Sequence, residues 1–287
     1  MCAARFSANT FLIGAQKSGT TWLAALLDQS PEVCVSAPKE PQFFTRQFDR
    51  GADFYRGCFA DPEARVRLDA STTYSFLRPA HALEDPDAPG LTDPVPERIA
   101  DWCPEARFIY ILRDPVRRAA SAYRHAMRFD PPPPGPVSLL DCLRERPMLA
   151  LASRYADQIE RYLAVFPPER FLYLDFRALT ADPVATVRQT CAFLGIDSPA
   201  LDLSGAEAEK HPAYRLTPAG QAIHRLRKSL PWVAGALRAA LPGRLTGFLR
   251  EKVAKAPAEI VLTHEAEAAA LFAEDRARVL ALTGLAI

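Results

Sequence analysis

Residues 11–22 read FLIGAQKSGTTW. A short apolar run, Phe11-Leu12-Ile13, meets a turn that begins at Gly14 and carries Lys17, Ser18, Gly19, Thr20 and Thr21. An apolar helical pattern follows at once in Trp22, Leu23, Leu26 and Leu27. Strand, glycine-containing turn and helix in this order aim backbone N–H groups and the positive end of a helix dipole at an anion. Lys17 adds a mobile positive charge, and the two threonines add hydroxyl donors at the helix start. The stretch therefore predicts a phosphate cradle at the tip of a strand. It departs from the Walker A order GxxxxGK[ST], because Lys17 precedes Gly19 instead of following it.

Outward from this turn, apolar runs alternate with helical patterns, as in a parallel sheet with crossover helices. Strands are expected near 10–14, 33–36, 66–69, 107–112 and 171–175, and helices near 20–29, 95–102, 116–127, 153–165, 183–194 and 266–282. Phe108-Ile-Tyr-Ile-Leu112 is a continuous apolar run and reads as a buried central strand bracketed by Arg107 and Arg113. The pattern predicts an α/β fold: a central parallel sheet of about five strands with helices on both faces, in one domain over 1–287. Two proline-rich stretches, 84–96 and 130–136, interrupt the alternation and read as loops, lining the site or simply crossing the surface. Residues 221–256 hold eight Lys or Arg against the single acid Glu251, with large apolar residues between them. They read as a basic helical insertion, packed on the domain or touching a membrane surface peripherally.

Composition narrows the choice of function. The 287 residues are 49% hydrophobic and 24% charged, ordinary for a globular enzyme, and the net charge of +1 gives no global attraction to nucleic acid. The six cysteines form no CxxC pair, so reduced thiols are expected rather than a disulfide framework. The five histidines are dispersed, and no metal site is expected. No apolar stretch reaches the ~20 residues that span a bilayer. The first residues make too short an apolar segment for a signal peptide, so a cytoplasmic protein is expected.

A second anion site follows the central strand. Asp114 can cap the next helix and Pro115 suits its first turn. Arg113, at the strand end, offers a permanent bidentate fork, and Ser121, on the helix, offers a hydroxyl donor. Arg117 and Ser121 are four apart and share a face.

The order KSGTTW, Lys17 to Trp22, resembles the 5′-phosphosulfate loop of sulfotransferases that use 3′-phosphoadenosine 5′-phosphosulfate (PAPS). Gln16 replaces the Pro of cytosolic members, a change often seen in carbohydrate sulfotransferases. The motif RDPxxRxxSxY of the same family resembles Arg113, Asp114, Pro115, Ser121 and Tyr123, with Arg117 assigned to its second arginine. Ser153-Arg154-Tyr155 and residues 166–195 continue the likeness, which covers most of 10–200. It implies a P-loop-like fold, PAPS as the sulfuryl donor with no metal, and a bacterial enzyme of the carbohydrate type. It also implies that Lys17, Ser18, Gly19, Thr20 and Thr21 hold the 5′ side and that Arg113 and Ser121 hold the 3′-phosphate. By the same resemblance Tyr155 contacts the adenine, and Trp22 either stacks on it or belongs to the core. Glu40, in PKEPQFF, resembles the Glu-x-x-Phe-Phe segment of heparan-type members, whose glutamate is the base for the acceptor hydroxyl or amine. Lys17 is then the group that stabilises the leaving oxygen. The pattern departs at Ala70, where heparan-type members carry a lysine, so either Lys17 alone neutralises the leaving group or another cation such as Lys39 or Arg78 contributes. The late cofactor-closing loop is degraded to EKHPAYR, where Lys210 and Arg215 are candidates for 3′-phosphate contacts. Two rivals stay open: a small-molecule kinase using ATP, and a catalytically silent nucleotide-binding protein.

Overall fold

The computed structural model describes residues 6–76, 94–127, 133–204, 215–216, 254–255 and 260–287. Five strands, β1 (Thr10–Gly14), β2 (Val33–Val35), β3 (Val66–Asp69), β4 (Arg107–Leu112) and β6 (Phe171–Asp175), form one parallel sheet in the order β2-β3-β1-β4-β6. The remaining strands are two-residue pieces: β5 (Val137–Ser138) pairs with β9 (Leu262–Thr263), and β7 (Arg215–Leu216) with β8 (Ala254–Lys255). All five expected strands are present. The basic stretch 221–256 lies outside the described residues apart from β8, as do 84–93 and 130–132.

Side-chain alternation sorts the sheet into three layers. Phe11 and Ile13 of β1, with Phe108, Tyr110 and Leu112 of β4, enter one core together with Ile99 of α4 (Val95–Trp102) and Tyr155, Ile159 and Tyr162 of α8 (Tyr155–Leu163). Leu12, Ile109 and Ile111 enter the other core, with Trp22, Leu23, Leu26 and Leu27 of α1 (Thr20–Leu27) and Val187 and Cys191 of α10 (Pro183–Leu194). The crossovers from β1 and from β4 leave in opposite directions, toward β2 and toward β6. The crevice beyond the carboxyl ends of β1 and β4 is therefore a topological switch point, where open α/β sheets bind ligands.

Several short helices were not apparent in the sequence pattern: α2 (Phe43–Arg46), α3 (Gly51–Arg56), α6 (Leu139–Glu145), α7 (Pro147–Leu151) and α9 (Phe176–Ala181). Each is too short to show a 3.6-residue period clearly. The helix expected over 266–282 is two, α11 (Glu265–Ala270) and α12 (Ala273–Thr283). The break falls at Phe272, which is fully buried beside Val116, Leu139 and Ala268.

Candidate active site

The first cradle is built by backbone conformation. Lys17 and Gly19 both have positive φ, 71° and 82°, which turns the chain sharply from β1 into α1. A Cβ on Gly19 would also sit 3.0 Å from Leu179 Cδ2, so this position requires glycine. Ala15 N donates to Ile111 O (2.9 Å), tying the loop to β4. The first N–H groups of α1 have no intrahelical acceptor. Ser18 Oγ is buried with no hydrogen-bond partner among the described residues.

Arg113 connects this cradle to the second. Its Nη1 donates to Lys17 O at 2.6 Å, and its guanidinium lies 4.5 Å from the centre of the Phe176 ring. Burial lowers the Arg113 pKa, partly offset by Tyr155, with like charges on Arg117 and Arg124 lowering it further. A bound anion would relieve that repulsion. Asp114 Oδ1 accepts from Arg117 N (2.8 Å) and caps α5 (Pro115–Ala126), as expected. Its other oxygen accepts from Arg276 of α12 at 2.6 Å. Ser121 is half-buried on α5.

Two expectations change here, and one that had two readings narrows to one. Counting two intervening residues from Pro115 brings Arg118, not Arg117, to the second arginine of the motif. Arg117 is exposed, while Arg118 is fully buried, with Nε on Ser153 Oγ and Nη2 on Leu149 O, both at 2.6 Å. Tyr155 is also fully buried, and its hydroxyl donates to Arg113 O (3.0 Å). Its ring has no face open to a base, so it acts on the site through Arg113. Trp22 is 6% exposed and takes the second of its two readings, a place in the core. Lys210 and Arg78 lie outside the described residues, and of Arg215 only the backbone is described.

Sequence reasoning missed His125. Lys17 Nζ donates to His125 Nδ1 at 3.2 Å, from the last turn of α5. Its signal was present, since His125 stands four residues after Ser121 and shares its face.

Glu40 sits beyond the ends of β2 and β3. Oε1 pairs with Lys39 Nζ (3.0 Å) and Oε2 accepts from Thr72 Oγ1 (3.3 Å). Lys39 Nζ also donates to Ala70 O (3.2 Å), so an ammonium group stands at the position whose own side chain is a methyl. The turn Thr72–Ser75 packs against β1, where a Cβ on Gly14 would meet Ser75 Oγ at 2.5 Å. Glu40 and the first cradle are thereby carried by neighbouring parts of the same sheet edge.

The sheet is P-loop-like, and the two candidate anion cradles lie side by side at its switch point. The chain belongs to the Sulfotransferase family, whose model matches residues 9–200. It is 32% identical over 202 residues to the human bifunctional heparan sulfate N-deacetylase/N-sulfotransferase 3, covering 64% of this chain and 22% of that protein. It is 29% identical over 197 residues to the mouse heparan sulfate glucosamine 3-O-sulfotransferase 6, covering 64% of this chain and 51% of that one. The chain thus spans about a fifth to a half of the length of these relatives. A sulfotransferase crystal structure from Alicyclobacillus acidocaldarius superposes with a TM-score of 0.57 at 25% identity, over 98% of this chain and 97% of that one. Among the described residues no helix is long and apolar enough to cross a membrane.

Proposed function

We propose that this chain transfers a sulfuryl group from PAPS to a hydroxyl or amine of a carbohydrate acceptor. The observation that carries this reading is the Arg113–Lys17 O hydrogen bond, which joins the two cradles at adjacent strand ends. Supporting it are the family membership and the heparan sulfate named in two relatives. The donor set fits PAPS: an ammonium, free helix N–H groups and hydroxyls on one side, a guanidinium and a hydroxyl on the other. PAPS would supply the activated sulfuryl group and a bisphosphate leaving group.

Lys17, Ser18, Gly19, Thr20 and Thr21 would hold the 5′ side, and Arg113 and Ser121 the 3′-phosphate. The Lys17 ammonium neutralises charge on the leaving oxygen, and His125 Nδ1 sets where that ammonium rests. Glu40 takes the acceptor proton, positioned by Thr72. Lys39, between Glu40 and the Ala70 carbonyl, brings a second positive charge to the acceptor side.

Calorimetry with adenosine 3′,5′-bisphosphate tests the cradles. Arg113→Ala should weaken binding roughly 10–100-fold, the value of a charged hydrogen-bonding group. ATP with Mg²⁺ should bind far more weakly to the unaltered protein. Glu40→Gln should lower transfer from labelled PAPS to N-desulfated heparan sulfate by roughly 10²–10⁴-fold with bisphosphate affinity kept. Unaltered bisphosphate binding by Arg113→Ala would overturn the site.

A further inference from the structure

Asp69, the last residue of β3, is fully buried beside Ala70, and the mechanism above does not use it. Its hydrogen-bond partners among the described residues are all neutral donors. Oδ2 accepts from Tyr55 Oη (2.8 Å) and Tyr74 Oη (2.7 Å), and Oδ1 accepts from Ser71 Oγ (2.6 Å) and Ser71 N (3.0 Å). Burial, reinforced by Asp69 itself, holds both tyrosines protonated, so they remain donors. An ionised carboxylate enclosed without a cation is costly to a fold. Burial raises the Asp69 pKa to about 6 despite the four hydrogen bonds that pull it down. A hydrocarbon or amide side chain would serve packing at lower cost, so the position calls for another explanation.

The second ring of contacts supplies it. Two of the four donating groups are also acceptors for one short segment. Ser71 Oγ, its proton given to Asp69, accepts from Gln42 N (2.9 Å), and Tyr74 Oη, likewise, accepts from Phe44 N (3.2 Å). Ala70 N donates to Lys39 O (3.3 Å) in the same direction. Gln42 has a positive φ of 53° and is the N-cap of α2, so the chain turns sharply just after Glu40. Asp69 fixes the orientation of both hydroxyls: by accepting their protons it turns their lone pairs toward the backbone that follows Glu40. We infer that Asp69 is a positioning residue for Glu40, acting through Ser71 and Tyr74 to hold residues 39–44 in the geometry that presents the base. This rests on Glu40 being the base, but the link between Asp69 and the segment is testable without it.

Amide hydrogen exchange of the intact protein tests the link directly. In Asp69→Asn, which keeps an acceptor oxygen on one side only, the amide served through the other side, Gln42 or Phe44, should exchange about tenfold faster, as expected for loss of one hydrogen bond. Global thermal stability should stay level or rise, because an enclosed charge is removed. Ser71→Ala, which leaves Asp69 in place, should accelerate Gln42 and spare Phe44. In the labelled transfer assay, kcat should fall roughly a hundredfold in Asp69→Asn, as for a group displaced by about 1 Å, with bisphosphate affinity unchanged by calorimetry. Unchanged protection at Gln42 and Phe44 overturns the inference. So does a uniform loss of stability and protection across the whole protein, which would make Asp69 a general structural group. If exchange and kcat respond as stated while Glu40→Gln keeps full turnover, Asp69 positions the segment for some group other than Glu40, and the assignment of the base fails instead.

Discussion

At the scale of single residues, Asp69 makes a prediction about pH. Its folded pKa of about 6 lies above the ordinary aspartate value of 3.8, so the folded protein holds the extra proton between the two. Stability from this group is fully present below about pH 4 and is lost as pH rises through about 6, amounting to about 3 kcal/mol. Urea unfolding of the unaltered protein and Asp69→Asn across that window should show the unaltered protein losing ground steadily as pH rises. A constant difference between the two would refute the shifted value. Lys17, Gly19, Arg113 and Glu40 were all legible as candidates, because an anion site and a base need particular residue types at strand ends. His125, Thr72 and Asp69 were not singled out, since the groups they serve, Lys17, Glu40 and residues 39–44, lie far from them in the chain.

At the scale of elements, the five strands were visible because a two-sided apolar layer leaves a continuous apolar run in the sequence. The helix pattern was less complete. Phe272 belongs to a helical apolar series, yet it lies in the break between α11 and α12, buried in the cluster around Val116. Asp114 shows an element whose cap also has a tertiary partner, serving Arg117 N with one oxygen and Arg276 with the other. Asp114→Ala should cost about 1–2 kcal/mol by thermal unfolding, the value of a lost N-cap. Asp114→Asn should recover most of the cap but not the ion pair. Equal losses in both variants would place the stabilisation in the contact to α12 instead.

At the scale of the molecule, the C-terminal helix packs on α8 at the side of the sheet where Arg113 lies. Asp275 of α12 is buried and accepts from Tyr155 N and Ala156 N, both at 3.0 Å, capping α8 from 120 residues away. Tyr155 in turn holds the Arg113 carbonyl, so α12 reaches the second cradle through two hydrogen-bond steps. Asp275→Ala should lower the midpoint of thermal unfolding by several degrees, for a loss of about 1 kcal/mol or more. It should also weaken adenosine 3′,5′-bisphosphate binding severalfold in calorimetry. Unaltered nucleotide affinity in a folded Asp275→Ala protein would show that the cradle does not depend on this helix.

The amino-acid sequence alone determined the layer architecture, the two candidate anion-binding turns and their order, because strand periodicity, glycine conformation and charge are local properties. Folding decided the rest: that the two turns meet at adjacent strands through Arg113, that Arg118 and Tyr155 are enclosed supports, and that a buried carboxylate orients the segment carrying Glu40. Those outcomes depend on strand order and on contacts between residues far apart in the chain, which no local pattern encodes.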